Sequence, residues 1–421
     1  MSSSAGMAGR PGRVAVAGAG IAGLCVAWFL QEYGIGVTVF DRGQVAAGAS
    51  WGNAGWITPA LAAPLPEPAI LRAGLAALVT RGSPVSVPPR PDAGLAAFLW
   101  QFARHCTTRR WRLAMTGLAG LSRQALAGYD ALASGGVTAR AAEATPLLAA
   151  YRTAAARAAL VTELREITGC GGAADFDLID GPAIQRAEPA LSDEVRAAVV
   201  LHGQRYIDPG ALAAALAASV RERGGVIQER QPVTAVTPAA GGVLLRHGGG
   251  ESRHDAVVLA TGAWLGGLAR PLGVRTRVQS GRGYSYAVRL AVAPRGPVYF
   301  PAARLACTPR PGGAVRIAGI MELRPPGAPL RPGRLDLMAA SIRPLLREAG
   351  TGPRTEEWAG PRPVTPDGLP VIGQTRSERV FVAGGHGMWG ITLGPATGRL
   401  LAEQIATGAM PPVLAPFDPL R

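Results

Sequence analysis

Four groups of residues in this 421-residue chain have the types and spacing to do chemistry. The first is a glycine triplet, Gly18, Gly20 and Gly23, with Asp41 and Arg42 beginning 18 residues after Gly23. Glycines so spaced make a tight turn, let backbone approach a pyrophosphate, and let a helix pack on a strand. The phosphates would rest on free N–H groups of Ile21 and Ala22 at the positive end of that helix. Asp41 would accept hydrogen bonds from an adenosine ribose and repel a ribose phosphate. The second group is Arg362 in Gly-Pro-Arg-Pro, a guanidinium on proline-stiffened backbone and so a fork for a carboxylate. Arg310, after Pro309 at a strand end, offers a second cation. Tyr284 and Tyr286 form the third group: alternation puts both on one face of a strand, where two phenols could line a pocket. The fourth is His386 between Gly385 and Gly387, either a base or a hydrogen-bonding wall.

The elements that must position these groups are readable. Val14 to Ala17 is a buried strand, Ile21 to Tyr33 an apolar helix and Val37 to Phe40 a second strand, together one βαβ unit. After Asp41 the chain gives Ser50, Asn53, Ala54 and Gly55 in a run of small residues ending at Pro59. Such a run suits backbone that follows a long ligand, as flavin adenine dinucleotide (FAD) requires. The strand Asp255 to Ala260 ends in Thr261-Gly262. A last strand, Val380 to Ala383, leads through a glycine turn into a helix to about Thr407. Gly385 to Gly390 repeats the glycine pattern, yet no strand and ribose acid follow it, so it is not a second dinucleotide site. Between these ends the spacing predicts helices over Leu95 to Ala133, Ala141 to Thr168 and Gly181 to Arg186. Another helix opens at Asp208-Pro209 and runs to Arg223, followed by a strand at Val226 to Gln228. A strand pair is expected at Val233 to Val236 and Val243 to Arg246. An antiparallel sheet spans Leu268 to Glu322, a covering loop with a short helix Pro64 to Pro91, and a rigid loop Glu357 to Gly373.

Composition bounds the rest. With 48% apolar residues the chain can bury a core large enough for two domains. All 43 basic residues are arginine and the formal charge is +15, but the arginines are scattered, which argues against nucleic acid. Arg104, Arg109, Arg110 and Arg112 beside Trp100, Phe102 and Trp111 allow a peripheral membrane contact; a solvated helix face is the plainer reading. An acidic carrier protein is the other partner such charge allows. The four cysteines form no CxxC pair and imply no disulfide framework or metal site. The apolar N-terminal run is explained by the glycine fingerprint, so the expected location is cytoplasmic, at most peripheral to the inner face of the membrane.

The acid-ended second strand followed by Ser50-x-x-Asn53-Ala54-Gly55-x-Ile57-x-Pro59, the Gly-Tyr-Ser triplet at Tyr284 and the Gly-x-Arg-Pro at Arg362 resemble the D-amino-acid dehydrogenase group of the FAD-dependent D-amino-acid oxidase and glycine oxidase superfamily. The resemblance implies an α/β (α+β two-domain) fold: an FAD-binding Rossmann-like domain of the glutathione-reductase type and an antiparallel-sheet substrate domain with helices. The FAD-binding domain would be discontinuous, over 1–82, 200–270 and 356–421, with the substrate domain over 83–199 and 271–355. The implied cofactor contacts add Val233, Thr261, Gly262, Gly385, Gly387, Met388, Gly390, Ile391 and Thr392 to those above. Arg362 falls on the arginine that binds substrate carboxylate, and the last glycine turn on the one against the flavin's pyrimidine edge.

With no second nucleotide site, the implied reductant is an amino-acid substrate. Hydride would pass from its α-carbon to flavin N5, giving an imino acid that water converts to a 2-oxo acid. Gly52 stands where some relatives carry a histidine that bonds the flavin, which implies noncovalent FAD. The absence of lysine favours a quinone or carrier over oxygen as electron acceptor. Trp56, Met388 and Trp389 lean toward an apolar or cyclic substrate. Two alternatives remain open: a flavin oxidase of a secondary amine or amino-acid unit in a biosynthetic pathway, and a noncatalytic subunit that relays electrons.

Overall fold

Four successive residues, Val14 to Ala17, are fully buried, as a strand covered on both faces requires. The computed structural model describes residues 9–70, 85–88, 92–347 and 352–421. The strand Arg13–Ala17, the helix Ile21–Glu32 and the parallel strand Gly36–Phe40 lie within one residue of the expected bounds. Leu24 to Leu30 are all buried, so this helix is an internal one, apolar all round. Each large apolar side chain it buries contributes roughly 1.5–3 kcal/mol. Its long neighbour is the last helix, Gly390–Thr407, whose Gly394 and Gly398 lie against Ile21 and Cys25.

The six-stranded sheet runs Val226–Gln228, Gly36–Phe40, Arg13–Ala17, Ala256–Leu259, Val380–Gly384, Val371–Gln374. Neighbours are parallel except the last pair. The glycine turn sits at the carboxyl ends of its central strands. Gly18 takes φ +115°, and a Cβ there would lie 2.3 Å from the Ala260 carbonyl oxygen. A Cβ on Gly23 would lie 1.9 Å from the Gly18 oxygen. The helix can approach the strand only through those missing side chains.

The second sheet has nine strands, all antiparallel but for two parallel contacts. From one edge it runs Thr355–Val364, Gln279–Arg289, Ala314–Leu323, Leu305–Pro309, Val298–Phe300, Leu147–Tyr151, Ala197–Leu201, Phe176–Asp180, and the ninth strand, Val85–Ser86, pairs with Ala314–Leu323 off this path. Several expectations are corrected here. The segment from Ala141 is not helical until Ala154: Leu147–Tyr151 is a fully buried strand inside the sheet, where tertiary burial overrides the helix propensity of alanine and leucine. The stretch after Glu357 is not a loop but the edge strand Thr355–Val364, an edge being where Pro361 and Pro363 can lack their N–H groups. That strand belongs to the antiparallel sheet although the chain on either side serves other elements. The expected pair near Val233 is a three-stranded meander, Ala235–Ala239, Gly242–His247 and Gly250–His254.

Leu95 to Ala133 divides into three helices, Ala93–His105, Thr108–Ser122 and Ala125–Ser134. Arg104, Arg109, Arg110 and Arg112 are exposed, while Trp111 is buried and donates to the Pro64 oxygen. Much of the stretch expected as a covering loop, 71–84 and 89–91, lies outside the described residues. Among the described residues no helix is long and apolar enough to cross a membrane.

Gly23→Ala would overpack this contact. We expect a loss of at least about 1–3 kcal/mol, read as a lower denaturant midpoint, because the new methyl meets backbone rather than a side chain that can turn aside.

Candidate functional site

The glycine turn forms one wall of the site. Asp41 accepts hydrogen bonds from Ala19 N and Gly43 N, each at 2.7 Å, which fixes its carboxylate at the end of the second strand. Ser50 Oγ accepts from Ile21 N at 3.1 Å and so serves the helix N-terminus that Gly20 cannot cap itself. Thr261 Oγ1 is buried with no partner among the described residues, directly after the Ala260 carbonyl that crowds Gly18. A cradle of helix N–H groups with a hydroxyl from Ser50 and an orphaned one from Thr261 fits a bound dinucleotide. Arg42 stacks on Trp264, 4.6 Å from the ring centroid, just past Gly262. Val233 packs at the rim, against the apolar cluster that contains Phe40.

The opposite wall is one face of the antiparallel sheet. Arg362, Gly360 and Trp358 lie opposite Gly281, Gly283 and Ser285, and directly opposed residues share a face. Glycines make the room: a Cβ on Gly283 would lie 2.2 Å from Arg362 Cζ. This face is tied to the loop after the first βαβ unit. Ser285 Oγ donates to the Gly52 oxygen and Thr308 Oγ1 to the Ala54 oxygen, both at 2.7 Å, and Trp56 Nε1 donates to Thr308 Oγ1 at 2.8 Å. The Trp358 ring lies on Gly52, where a Cβ would be 2.2 Å from it, so position 52 has neither a nucleophile nor space for one. Asn53 holds the loop from within, accepting from Gly55 N at 2.9 Å.

Three arginines occupy this face, and their partners separate them. Arg310 is held by Asp208 and Glu356, each at 2.6 Å. Arg316 is 3% exposed, pairs with Glu356 and donates to Ser285 Oγ. Arg362 has no carboxylate among the described residues; its Nη1 donates to the Ile320 oxygen at 2.8 Å. Burial alone pushes its guanidinium down to about 10, which leaves it charged at neutral pH. A desolvated cation without a counter-ion is a standing demand for an anion. Arg310, expected as a second carboxylate cation, is already neutralised by two acids.

Other expected residues lie elsewhere. Tyr284 and Tyr286 do share a face, but it is the reverse face, away from Arg362, in the apolar cluster with Val288, Ile317 and Met338. Tyr284 OH donates to Glu322 at 2.6 Å, and burial raises both phenols. Alternation gave the pairing; which face met the site was a tertiary fact. His386 is 5% exposed, its Nε2 lies 2.9 Å from Thr397 Oγ1, and burial lowers it to about 4, so it is neutral at physiological pH. Its turn is next to Arg362 all the same, because Gly387 N donates to the Pro363 oxygen at 2.9 Å.

Met388 packs against the cluster of Leu95 and Phe98, and Trp389 Nε1 donates to the Ala63 oxygen. Gly390 begins the last helix, the Ile391 oxygen accepts from Tyr129 OH, and Thr392 Oγ1 donates to the Trp56 oxygen at 3.0 Å. Thus that helix start meets the cofactor-side loop. Sequence reasoning missed Ser285, Thr308 and Arg316, since a charged or hydroxyl residue at every second strand position reads as solvent-facing. Trp358 carried a usable signal, its even spacing from Arg362, once the segment is read as a strand.

A family model described as FAD dependent oxidoreductase (DAO) matches residues 13–404. The D-amino acid dehydrogenase of Cereibacter sphaeroides is 31% identical over 404 residues, covering 93% of this chain and 91% of that protein. That of Methylobacterium nodulans is 32% identical over 415 residues, covering 95% and 96%. Among solved structures, glycine oxidase from Geobacillus kaustophilus superposes with a TM-score of 0.74 at 23% identity, over 97% of this chain and 99% of that one.

His386 should leave a signature in stability. Its folded pKa, about 4, lies below its ordinary value of 6.5, so its full contribution is present above pH 6.5 and is lost as pH falls toward 4. We expect His386→Asn to remove up to about 3 kcal/mol of acid destabilisation across that window, measured by denaturant titrations from pH 7 to pH 4.

Proposed function

The chain belongs to the DAO family of FAD-dependent oxidoreductases, and on that premise we propose that it oxidises a free amino acid at the α-carbon, D-amino acids being preferred. FAD is its cofactor. The observation that carries the substrate reading is Arg362, a half-buried cation with no acid of its own among the described residues, on the sheet face joined to the loop of Gly52 and Ala54. The relatives named D-amino acid dehydrogenase support the amino acid and its hand. FAD, when bound, supplies the two-electron acceptor for the hydride that leaves the α-carbon.

The chain's own residues bind and orient. Arg362 takes the substrate carboxylate in a bidentate pair, which fixes the α-carbon against the cofactor-side wall. Arg310 and Arg316, already paired with acids, do not compete for it. Ser285 and Thr308 hold the Gly52–Trp56 loop at a set distance from that guanidinium. The Ala22 N–H and the hydroxyls of Ser50 and Thr261 would hold the pyrophosphate region, and Asp41 the ribose; the Ile21 N–H, expected free, is already taken by Ser50 Oγ. The start of the last helix, tied to Trp56 and Thr58 through Thr392, has no side-chain cap, and its positive end would favour negative charge developing there. His386, neutral and tied to Thr397, is a wall rather than a base, and the amine sheds its proton to water before the α-carbon is oxidised. With Gly52 under Trp358 the cofactor is noncovalent, and with no lysine in the chain a quinone or carrier reoxidises it.

Anaerobic titration of the holoenzyme with D-, L- and N-alkyl amino acids tests the reading through flavin absorbance. Bleaching by D-amino acids is expected; flavin that stays oxidised with every one of them overturns it. Arg362→Ala should retain its flavin yet lose about 2–5 kcal/mol in kcat/KM, roughly 30-fold to several-thousand-fold. Unchanged kcat/KM in that variant would remove Arg362 from the carboxylate role, and flavin that no amino acid reduces would point to an electron relay.

A further inference from the structure

The face that carries Arg362 holds a second polar group that carboxylate binding and FAD leave unused. Tyr299 lies opposite Ala306 and beside Ala149, so Tyr299 and Tyr151 share the face of Thr308. The Tyr299 ring meets Trp56 edge-on, centroids 5.8 Å apart, immediately after the Ala54–Gly55 loop. Tyr151 is 6% exposed, and neither its hydroxyl nor that of Tyr299 has a hydrogen bond among the described residues. The helix Ala154–Gly169 packs over this part of the face and brings Glu163 to the two phenols; Glu67 and Arg304 complete the group.

The charges of this group do not close on themselves. Glu67, Glu163 and Arg304 make no ion pair or side-chain hydrogen bond among the described residues. Glu67 and Glu163 share the one guanidinium of Arg304, since the nearby Glu166 pairs with Arg112, so Arg304 can match only one of the two when both are ionised. Burial, then the charge on Glu67, pushes Glu163 up to about 7, and Glu67 is raised as well. Burial comes first in both shifts, and the Arg304 guanidinium pulls each back down. A purely structural cluster would have closed its ion pairs and its hydroxyls.

Position relates the group to Arg362. The Ile320 oxygen accepts from Arg362 Nη1, and Ile320 N donates to the Arg304 oxygen. From the strand of Ile320 to the strand of Tyr299 is two strand spacings, about 10 Å. That is the reach of a lysine- or arginine-length amino acid from carboxylate to side-chain end. Trp56 and Trp389, whose bulk suggested an apolar substrate, have their indole N–H groups committed to Thr308 and Ala63.

We propose that Tyr151, Tyr299, Glu163 and Glu67 form the side-chain subsite of this enzyme, selecting amino acids that end in an ammonium or guanidinium. The proposal rests on the reading that Arg362 takes the carboxylate. The incoming cation supplies the charge the group lacks, and the phenols accept its N–H bonds.

Two ligand pairs test it on the wild-type holoenzyme. D-lysine against D-norleucine, the same chain without the cation, reads turnover; 6-aminohexanoate against hexanoate, neither with an oxidisable α-amine, reads binding through perturbation of the flavin spectrum. At least tenfold preference for the cationic member is expected in both pairs. Glu163→Gln should bring the ratio of cationic to neutral member to within about twofold of one in both pairs. Equal or reversed preference in the wild-type protein overturns the subsite, as does a Glu163→Gln variant that weakens both members alike. If no amino acid reduces the flavin while 6-aminohexanoate keeps its advantage, the reaction falls and the subsite stands. If D-norleucine is oxidised as well as D-lysine, the reaction stands and the subsite falls.

Discussion

The site depends on one electrostatic constraint: a guanidinium kept charged, half withdrawn from water, and given no acid among the described residues. Such a group is tolerated only if something holds it in place and something else completes its charge. Gly283 gives Arg362 room to lie flat over the neighbouring strand, and the Ile320 carbonyl takes one of its N–H groups. Nearby acids are kept from it. Asp208 and Glu356 are bound to Arg310 and Arg316, so the same face that offers one unmet cation also disarms the carboxylates that would otherwise quench it.

The two faces of the antiparallel sheet divide the labour. On the reverse face, Tyr284, Tyr286, Val288 and Ile317 build an apolar cluster that makes the sheet rigid. On the site face, Ser285 and Thr308 spend their hydroxyls on carbonyls of the Gly52–Trp56 loop, and Trp358 covers Gly52. These contacts set the gap between the two sheets by hydrogen-bond lengths rather than by flexible side chains. A site built across such a joint holds substrate and cofactor walls at a fixed separation.

Local signals in the sequence were the reliable ones. The glycine triplet, its helix and its acid are legible because each follows from contacts within thirty residues, and Asp208 caps its helix by accepting from Ala211 N, as its place before Pro209 suggests. What could not be read was orientation. Tyr284 and Tyr286 and the pair Ser285 and Arg316 occupy the same two strands; nothing local says which set meets the ligand, because both faces are buried. The alanine-rich run at Leu147–Tyr151 misled for the same reason, its strand conformation being imposed by neighbours from residues 197–201 and 298–300.

The order in which the chain fills its sheets bears on how it is made. The central strand Ala256–Leu259 is flanked on one side by Arg13–Ala17 and on the other by Val380–Gly384, and the antiparallel sheet receives its edge strand only at Thr355–Val364. Neither sheet can close until residues 355–384 have left the ribosome. Until then the nucleotide sheet presents an apolar, unpaired strand edge to its surroundings. Synthesis therefore passes through a long interval in which residues 13–354 exist but neither sheet is finished, a state prone to association and suited to chaperone capture.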